Sequence, residues 1–235
     1  QTEMDWNSNV IKSLWPSTIN NRESKEQLAA EIADKVKNGD IIGVGSGSTS
    51  YVALLAIAQK IKSDNLIIKA IPTSIEMALT CKYLDIPITT LNEHIPNWSF
   101  DGADEVDKNK HLIKGRGGAM FKEKLIMSVS KSNYIIVDNS KLVERLGHNF
   151  PVPVEVYPPA LMCVESKLIK LGAAEISLRP AQGKDGPVIS ENGNLILDVR
   201  FENIGENMEK EIKSITGVIE SGLFQNHEAD IIVAR

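Results

Sequence analysis

Apolar positions follow two alternating patterns along the first part of the chain. Short apolar runs predict strands at 41–44, 66–71, 86–90, 98–100, 111–113 and 134–137. Around them, apolar residues three and four positions apart predict helices at 24–36, 51–61, 74–83, 119–130 and 141–146, with Ser24 as the N-cap of the first. Strands that alternate with helices indicate a mostly parallel sheet that is covered on both faces.

A Pro-rich segment at 150–159 interrupts this alternation. Beyond it, strands at 152–156, 174–179, 195–201 and 218–224 and helices at 160–171 and 207–215 follow the order β-α-β-β-α-β, which is the ferredoxin-like order. A strand at 188–190 is predicted to form a hairpin with 195–201 around the Asn192–Gly193 turn. The last strand, 230–234, is predicted to return to the first sheet. The patterns therefore predict an N-terminal extension at 1–23, one domain at 24–149 with 225–235, and a smaller domain at 150–224.

Composition narrows the range of possible functions. The chain has 235 residues, 42% of them hydrophobic, and a formal net charge of −5. This charge argues against a nucleic-acid partner, and no apolar stretch approaches the ~18 residues that a membrane span needs. No secretory signal pattern is found, and we expect a cytoplasmic protein. The four histidines and two cysteines lack ligand spacing, so no metal is predicted.

A loop rich in glycine and hydroxyl side chains, Gly43-Val-Gly-Ser-Gly-Ser-Thr49, joins the predicted strand 41–44 to the next helix. Its backbone amides, its hydroxyls and the helix N-terminus can together bind an anion. The dinucleotide fingerprint Gly-x-Gly-x-x-Gly fails because its third glycine falls at Ser48, and the hydroxyls favour a phosphate monoester instead. The alternative interpretation is a tight turn with helix N-caps.

Acids and a lysine stand near a second glycine cluster. Asp101 and Asp104 follow a predicted strand, Lys114 precedes Gly115-Arg-Gly-Gly118, and Glu123 lies one turn into the next helix. A carboxylate base beside a cation and free amides suits proton transfer with stabilisation of a transient anion. The alternatives are an Asx-turn with a helix N-cap for the two aspartates, a solvated loop lysine, and a surface carboxylate near a helix N-terminus.

These motifs together resemble ribose-5-phosphate isomerase of the A type. The resemblance covers about residues 24–235 and rests on four motifs in order. They are the loop 43–49, Asp101-Gly-Ala-Asp-Glu105, Lys114-Gly-x-Gly-Gly-Ala119 with Glu123-Lys124, and Ser140-Lys141 before Pro151-Val-Pro-Val-Glu-Val156. Arg116 stands where the family often has glycine, and Ser46 stands where threonine is frequent.

The resemblance implies an α/β fold made of a Rossmann-like, mostly parallel sheet domain and a smaller α+β ferredoxin-like domain. It implies interconversion of D-ribose 5-phosphate and D-ribulose 5-phosphate through a cis-enediolate, in the non-oxidative pentose phosphate pathway, without a metal or an organic cofactor. Members of the family are usually homodimers or homotetramers. The expected partners are therefore a small sugar phosphate and further copies of the chain.

The resemblance also implies a role for each site residue. Glu123 would be the base that moves a proton between C1 and C2, and Lys114 would stabilise the enediolate together with the amides of residues 115–118. Asp101 would assist ring opening, and Asp104 would orient sugar hydroxyls. The expected phosphate ligands are Ser46, Gly47, Ser48, Thr49, Lys141 and Lys25, and the expected further substrate contacts are Gly102, Ala103, Gly115, Arg116 and Gly117.

Three other functions stay open on the sequence. An NAD-dependent oxidoreductase is disfavoured because the fingerprint fails and no ribose-binding acid follows the second strand. A non-catalytic sugar-phosphate sensor would have no reason to retain Glu123, Lys114 and Asp101 together. A related aldose–ketose isomerase or a sugar-phosphate deaminase is harder to exclude by physics alone.

Overall fold

The computed structural model describes residues 10–234, which form six α-helices and twelve strands. The helices are α1 (Arg22–Ala33), α2 (Gly47–Ser63), α3 (Ile75–Tyr83), α4 (Met120–Val129), α5 (Leu161–Lys170) and α6 (Met208–Lys213). The strands are β1 (Ile41–Val44), β2 (Lys69–Pro72), β3 (Trp98–Asp101), β4 (Glu105–Val106), β5 (Leu112–Ile113), β6 (Asn133–Val137), β7 (Val152–Val156), β8 (Ala173–Leu178), β9 (Leu195–Phe201), β10 (Val218–Ser221), β11 (Leu223–Phe224) and β12 (Asp230–Val233). Short 3-10 helices lie at Ile11–Leu14, Asn139–Lys141 and Pro158–Ala160.

The first sheet is parallel and has five strands in the order β12-β6-β3-β1-β2. Apolar side chains of α1, α2, β1 and β3 share one core cluster, which explains why these segments carry so many apolar positions. The chain leaves β1 on one side to reach β2 and later returns on the other side to form β3. Strand order therefore reverses between β1 and β3, and the carboxyl ends of strands at such a point are where ligands bind in open α/β sheets.

The second sheet is antiparallel and has the order β10-β7-β9-β8, which is the ferredoxin-like arrangement. Buried residues of α5 and α6 pack against its strands in a second core cluster. A small third sheet, in the order β11-β5-β4, stands beside these two. The parallel and ferredoxin-like sheets confirm the predicted fold class.

The division of the chain into domains stays a prediction. β12 pairs with β6 in the first sheet, so the last described segment returns there as the sequence indicates. Residues 1–9 of the predicted N-terminal extension lie outside the described residues. None of the helices between residues 10 and 234 has the length and hydrophobicity needed to cross a bilayer.

Two predicted elements of the first region are wrong. Residues 86–90 form a single bridge, between Ile88 and Ala70, rather than a strand, because Pro87 has no N–H to donate to a ladder. Residues 142–146 are not helical, because this segment extends beside β4, where Val143 N–H donates to Val106 O (2.9 Å).

Three further boundaries differ from prediction. α1 begins at Arg22, after Asn21 in a left-handed conformation (φ 53°), so Ser24 lies inside the helix and is not its N-cap. Residues 188–190 make no strand beyond a bridge between Pro187 and Pro180, although the Asn192–Gly193 turn is present. The predicted strand 218–224 is two strands in different sheets, divided at Gly222, where a Cβ would lie 1.9 Å from Lys114 O.

Candidate active site

The loop between β1 and α2 passes directly over the side chain of Asp101. A Cβ on Gly45 would lie 2.3 Å from Asp101 Cγ, so only glycine allows this approach. α2 begins at Gly47, and its first-turn amides face the same region as the end of β3. The glycines at the start of the loop therefore bring a helix N-terminus next to a carboxylate.

The segment after β3 holds both predicted aspartates through backbone contacts. Asp101 Oδ1 accepts hydrogen bonds from Gly102 N–H (2.8 Å) and Ser50 Oγ (3.3 Å). Asp104 Oδ2 accepts one from Arg116 N–H (3.2 Å). Burial raises the pKa of Asp104 above its ordinary value, and the nearby Lys114 charge opposes that rise. The two aspartates thus connect the first sheet to the second glycine cluster.

Lys114 is the centre of the charged cluster. It follows β5 directly and is only 3% exposed. Its Nζ lies 3.0 Å from Asp101 Oδ2 and 3.5 Å from Glu123 Oε2, and it donates to Gly102 O. Burial would lower the pKa of Lys114, but the charges of Asp101 and Glu123 outweigh it and raise the pKa. Lys114 is therefore held in its charged form inside the site.

Glu123 is on the first turn of α4 and is 8% exposed, so the surface-carboxylate alternative is wrong. Among the described residues, no hydrogen bond reaches its Oε2 atom, although Lys114 is near. Burial and the Asp101 charge raise the pKa of Glu123 well above its ordinary value. A buried carboxylate with an unsatisfied oxygen and a raised pKa has the properties of a general base or acid.

The other end of the site carries two lysines and several hydroxyls. Lys25 Nζ donates to Ser48 Oγ (2.9 Å). The pKa of Lys25 is lowered, mainly by burial and also by the Lys141 charge, while the Asp138 charge opposes the shift. Lys141 Nζ lies 5.4 Å from the centre of the Phe150 ring. Two neighbouring cations at the N-terminus of α2 form an anion site.

Ser46 differs from its neighbours in this loop. Its hydroxyl shares a hydrogen bond with Thr73 Oγ1 (2.7 Å) and donates to Ser74 Oγ (2.7 Å). Ser46 still lines the cavity, but its side chain connects β1 to the N-terminus of α3. The hydroxyls that line the anion site without a contact to α3 are therefore those of Ser48, which accepts from Lys25, and Thr49.

A cavity of about 760 Å³ unites the two ends of the site. The cavity is lined by these residues that the sequence assigns to the site: Lys25, Ser46, Gly47, Ser48, Thr49, Asp101, Gly102, Ala103, Asp104, Lys114, Gly115, Arg116, Gly117, Glu123 and Lys141. Gly118 does not line it, and its N–H donates to Gly115 O (2.9 Å). Within residues 10–234, no group of three or more His, Cys, Asp or Glu side chains could hold a metal ion. The cavity therefore joins a carboxylate–lysine cluster to an anion site.

The sequence interpretation missed one wall of this cavity, which the segment before α1 provides. Trp15 stacks on Tyr51 with ring centres 4.3 Å apart, and its Nε1 donates to Thr80 Oγ1 (2.8 Å). Asn21 Nδ2 donates to Asp138 Oδ2 (3.3 Å). The missed lining residues are Leu14, Trp15, Pro16, Thr18, Ile19, Asn20, Asn21, Glu76, Ile136, Val137 and Asp138. A large aromatic residue in an otherwise polar segment is the signal that could have indicated this packing.

Glu105, the last acid of the Asp-Gly-Ala-Asp-Glu motif, does not line the cavity. Its carboxylate is fully buried and accepts hydrogen bonds from the N–H groups of Gly147, Asn149 and Phe150, at 2.7, 2.5 and 2.9 Å. Phe150 in turn contacts Lys141. Glu105 thus holds a distant loop against the site, which the sequence did not indicate.

The fold and this site define a class: two-sheet α/β proteins with a buried proton-transfer cluster facing an anion site. More specifically, the chain belongs to the ribose 5-phosphate isomerase A (phosphoriboisomerase A) family, whose model matches residues 69–235.

Known relatives match most of the chain. Ribose-5-phosphate isomerase A of Methanothermobacter thermautotrophicus is 40% identical over 212 residues, which are 89% of this chain and 92% of that protein. The solved structure of ribose 5-phosphate isomerase A from Methanocaldococcus jannaschii has 38% identity and a TM-score of 0.88, and the match covers 92% of this chain and 96% of that one. A D-ribose-5-phosphate isomerase solved in complex with phospho-erythronic acid gives the same identity, TM-score and coverage.

Proposed function

We propose that this chain is an aldose–ketose isomerase that interconverts D-ribose 5-phosphate and D-ribulose 5-phosphate. The observation that carries the proposal is the unsatisfied Oε2 of buried Glu123, which lies 3.5 Å from Lys114 Nζ in the cavity that also contains the anion site. A base and a cation at one end suit the carbonyl carbons of an open-chain sugar, and the anion site suits its phosphate.

Glu123 is the proposed base. It removes the C2 proton of the open-chain aldose, the C2 electron pair forms the C1–C2 double bond, and the C1=O π pair moves onto O1 to give a cis-enediolate. The O2 hydroxyl proton is transferred to O1. The same carboxyl group then returns its proton to C1, the C1–C2 π pair takes up that proton, and an O2 electron pair forms the C2=O bond of the ketose. Its raised pKa supports this role, because a group that takes and returns a proton works best with a pKa near the working pH.

Lys114 and the amides of the second glycine cluster are the proposed stabilisers of the enediolate oxygens. A preorganised cation in a buried site needs no rearrangement as the negative charge develops. Asp101, 3.0 Å from Lys114 Nζ, is suited to move hydroxyl protons during ring opening. Asp104 is suited to orient sugar hydroxyls, because its carboxylate lines the same cavity.

The phosphate is proposed to bind where Lys25 and Lys141 approach the N-terminus of α2. Lys25 already donates to Ser48, and the two lysine charges disfavour each other until an anion lies between them. Backbone amides at residues 47–49 and the hydroxyls of Ser48 and Thr49 add donors. This binding holds the substrate so that its carbonyl end lies at Glu123.

The relatives support the same proposal. The curated relatives are ribose-5-phosphate isomerases A, and one solved neighbour binds phospho-erythronic acid, which carries a phosphate at one end and a carboxylate at the other. A planar carboxylate resembles the enediolate in charge and shape.

We also propose the domain division at 24–149 with 225–235 and 150–224, and a homodimer or homotetramer, as the sequence resemblance implies.

The decisive experiment is a direct conversion assay. Purified protein is incubated with D-ribose 5-phosphate in the presence of a chelator, and formation of the ketose is followed. Other pentose and hexose phosphates serve as controls, and they also test the related-isomerase and deaminase alternatives. Conversion of ribose 5-phosphate with a clear preference over the controls is expected, and absence of conversion in the folded protein would refute the proposal.

A further inference from the structure

Arg179 reaches from the end of β8 to the second glycine cluster. Its Nη1 donates to Gly115 O (3.1 Å) and Arg116 O (2.9 Å). Its Nε and Nη2 donate to the two carboxylate oxygens of Asp198, at 2.8 and 2.6 Å. The planar guanidinium therefore has one edge on a carboxylate of the second sheet and another on two carbonyl groups beside the proposed active site.

The loop that Arg179 contacts is fixed at its two ends but not in its middle. Gly118 N–H donates to Gly115 O (2.9 Å), and a Cβ added at Gly115 or Gly118 would lie 3.0 Å from Met120 or Ile196. A Cβ on Gly117 would meet nothing within 4 Å, so the Arg116–Gly117 peptide has several orientations of similar energy. A contact that selects one of these orientations controls where the loop amides point.

The carbonyl contacts set the direction of those amides. In a planar trans peptide, the C=O and N–H groups point in opposite directions. The Gly115–Arg116 peptide directs its C=O to Arg179 and its N–H to Asp104 Oδ2 (3.2 Å). The next peptide also directs its C=O to Arg179, so its N–H, on Gly117, faces away from the guanidinium. Gly117 itself lines the cavity.

We infer that Arg179, braced by Asp198, is a positioning residue that orients the amides of Arg116 and Gly117 toward Asp104 and the substrate. This inference rests on the proposed function, because the amides matter for chemistry only if an enediolate forms beside them. Arg179 itself does not line the cavity and is not a catalytic residue. Lysine cannot replace it, since an ammonium group lacks the planar fork that reaches the carboxylate and both carbonyls together.

The test compares Arg179→Met and Arg179→Lys with the wild type and with a matched control, Arg200→Met. Arg200 lies on β9, the strand that carries Asp198, and donates to a single carbonyl, Asn149 O (3.3 Å), which is not part of the glycine cluster. For both Arg179 variants we expect kcat on ribose 5-phosphate to fall about 10- to 100-fold, because misplaced groups lose transition-state contacts, while KM changes less than about threefold. Arg200→Met should keep kcat within about twofold of the wild type.

Two readouts separate positioning from a general loss of structure. Amide hydrogen exchange at residues 115–118 should accelerate in the Arg179 variants and stay at the wild-type rate in Arg200→Met. In Arg179→Ala, added methylguanidinium should restore part of kcat without changing KM. If Arg179→Met does not fold, Asp198→Asn is used instead, and it should lower kcat in the same direction by a smaller factor.

The exchange and kinetic results together decide whether Arg179 positions the loop. Faster loop exchange with a selective fall in kcat supports the inference. Wild-type exchange at residues 115–118 in a folded Arg179 variant overturns it, and so does a kcat loss no larger than the fraction of unfolded protein. If the wild type does not convert ribose 5-phosphate, the proposed function fails, but the exchange measurement still decides whether Arg179 positions the loop.

Discussion

Two buried lysines in this molecule lie near the same aromatic ring and belong to two different charged clusters. Lys114 Nζ lies 5.8 Å and Lys124 Nζ 4.5 Å from the centre of the Phe224 ring. They are 3% and 6% exposed, and each is within salt-bridge distance of two carboxylates. Charge and burial therefore do not distinguish the two clusters.

The Lys124 cluster is fully hydrogen-bonded around its main acid. Glu209 lies 3.0 Å from Lys124 Nζ and accepts hydrogen bonds from the N–H groups of Gln225 (2.6 Å) and Asn226 (3.0 Å). It also contacts His227 Nε2 at 3.0 Å. Burial would raise the pKa of Glu209, but the hydrogen bond from His227 and the Lys124 charge outweigh it and lower the pKa.

The Lys114 cluster is incomplete by comparison. Glu123 Oε2 has no hydrogen-bond partner among the described residues, and the pKa of Glu123 is raised, by burial first and then by Asp101. An acid that is fully hydrogen-bonded stabilises the fold, whereas an acid left unsatisfied destabilises it but stays available for reaction. Between these two lysine clusters, unsatisfied hydrogen-bonding capacity rather than charge distinguishes the one that lines the cavity. Glu155 Oε2 is also unsatisfied among the described residues, but Glu155 does not line the cavity.

The largest effect that would test this comparison is expected from Glu123→Gln. Removal of the proposed base should lower kcat by about 10²- to 10⁴-fold in a steady-state assay. The fold should keep or gain stability at neutral pH. Because the pKa of Glu123 is raised in the folded state, its stabilising contribution is present below the ordinary value and is lost as pH rises through the folded pKa. Glutamine stays neutral and avoids that loss.

Near-normal turnover of Glu123→Gln would show that the base lies elsewhere. Unfolding by urea at pH 5 and pH 8 provides the control for stability. A variant that loses stability at pH 8 relative to the wild type would show that ionised Glu123 stabilises the fold, and the contrast with the Lys124 cluster would then be wrong.

Lys124→Met should lower stability and leave kcat unchanged, which is the opposite of the result expected for Glu123→Gln. It leaves Glu209 and Glu220 as buried carboxylates without their shared cation, so the free energy of unfolding should fall by about 3 kcal/mol. The folded protein should keep its kcat, because Lys124 does not line the cavity. Urea unfolding and activity per folded molecule are the measurements.

Lys122→Met is the matched control on the same helix. Lys122 forms a partly exposed pair with Glu191 at 2.8 Å, and such pairs contribute below about 1 kcal/mol. Equal losses for the two variants would mean that the buried Lys124 cluster contributes no more to stability than a surface pair.

A lysine in neither cluster gives a smaller, purely binding effect. Lys141→Ala should raise KM about tenfold with little change in kcat, because phosphate binding is largely uniform between ground state and transition state. Lys167→Ala, which changes an exposed residue of α5, should leave KM unchanged. A large kcat loss at constant KM for Lys141→Ala would place this lysine in the chemistry instead.

The residues that the sequence grouped as a candidate site line one cavity, whereas several of its neighbouring elements were predicted wrongly. Asp101, Asp104 and Lys114 lie close together along the chain beside glycines, so local pattern was enough to group them. Spacing alone favours a surface carboxylate for Glu123, and that alternative is wrong because the burial of Glu123 depends on contacts with β3 and β5. The family resemblance, rather than periodicity, supplied its proposed role.

Contacts between distant segments could not be predicted from local sequence patterns. The Trp15 wall, the Arg179 contact with the glycine cluster and the loop held by Glu105 all depend on segments far apart along the chain. Local rules also failed where a backbone detail decided the outcome. Pro87 prevented a strand, and the approach of Gly222 to Lys114 divided one predicted strand between two sheets.

The smallest expected effect concerns the acid limb of the pH profile. The acid limb of kcat/KM reports the pKa of the essential base in the free enzyme, so its midpoint should lie above 4.5, the ordinary value for glutamate. Asp101→Asn removes a negative charge beside Glu123, so the Lys114 charge is then opposed only by burial and the weaker influence of Asp104. The pKa of Glu123 should then fall, and the acid limb of the residual activity should move to lower pH.

Asp104→Asn is the matched comparison for this shift. Asp104 is the smaller of the two negative charges that raise the pKa of Glu123, so its removal should move the acid limb in the same direction by less. An acid limb that stays in place in both variants would show that burial alone sets the pKa of Glu123. The carboxylates around Lys114 would then have no effect on the pKa of the proposed base.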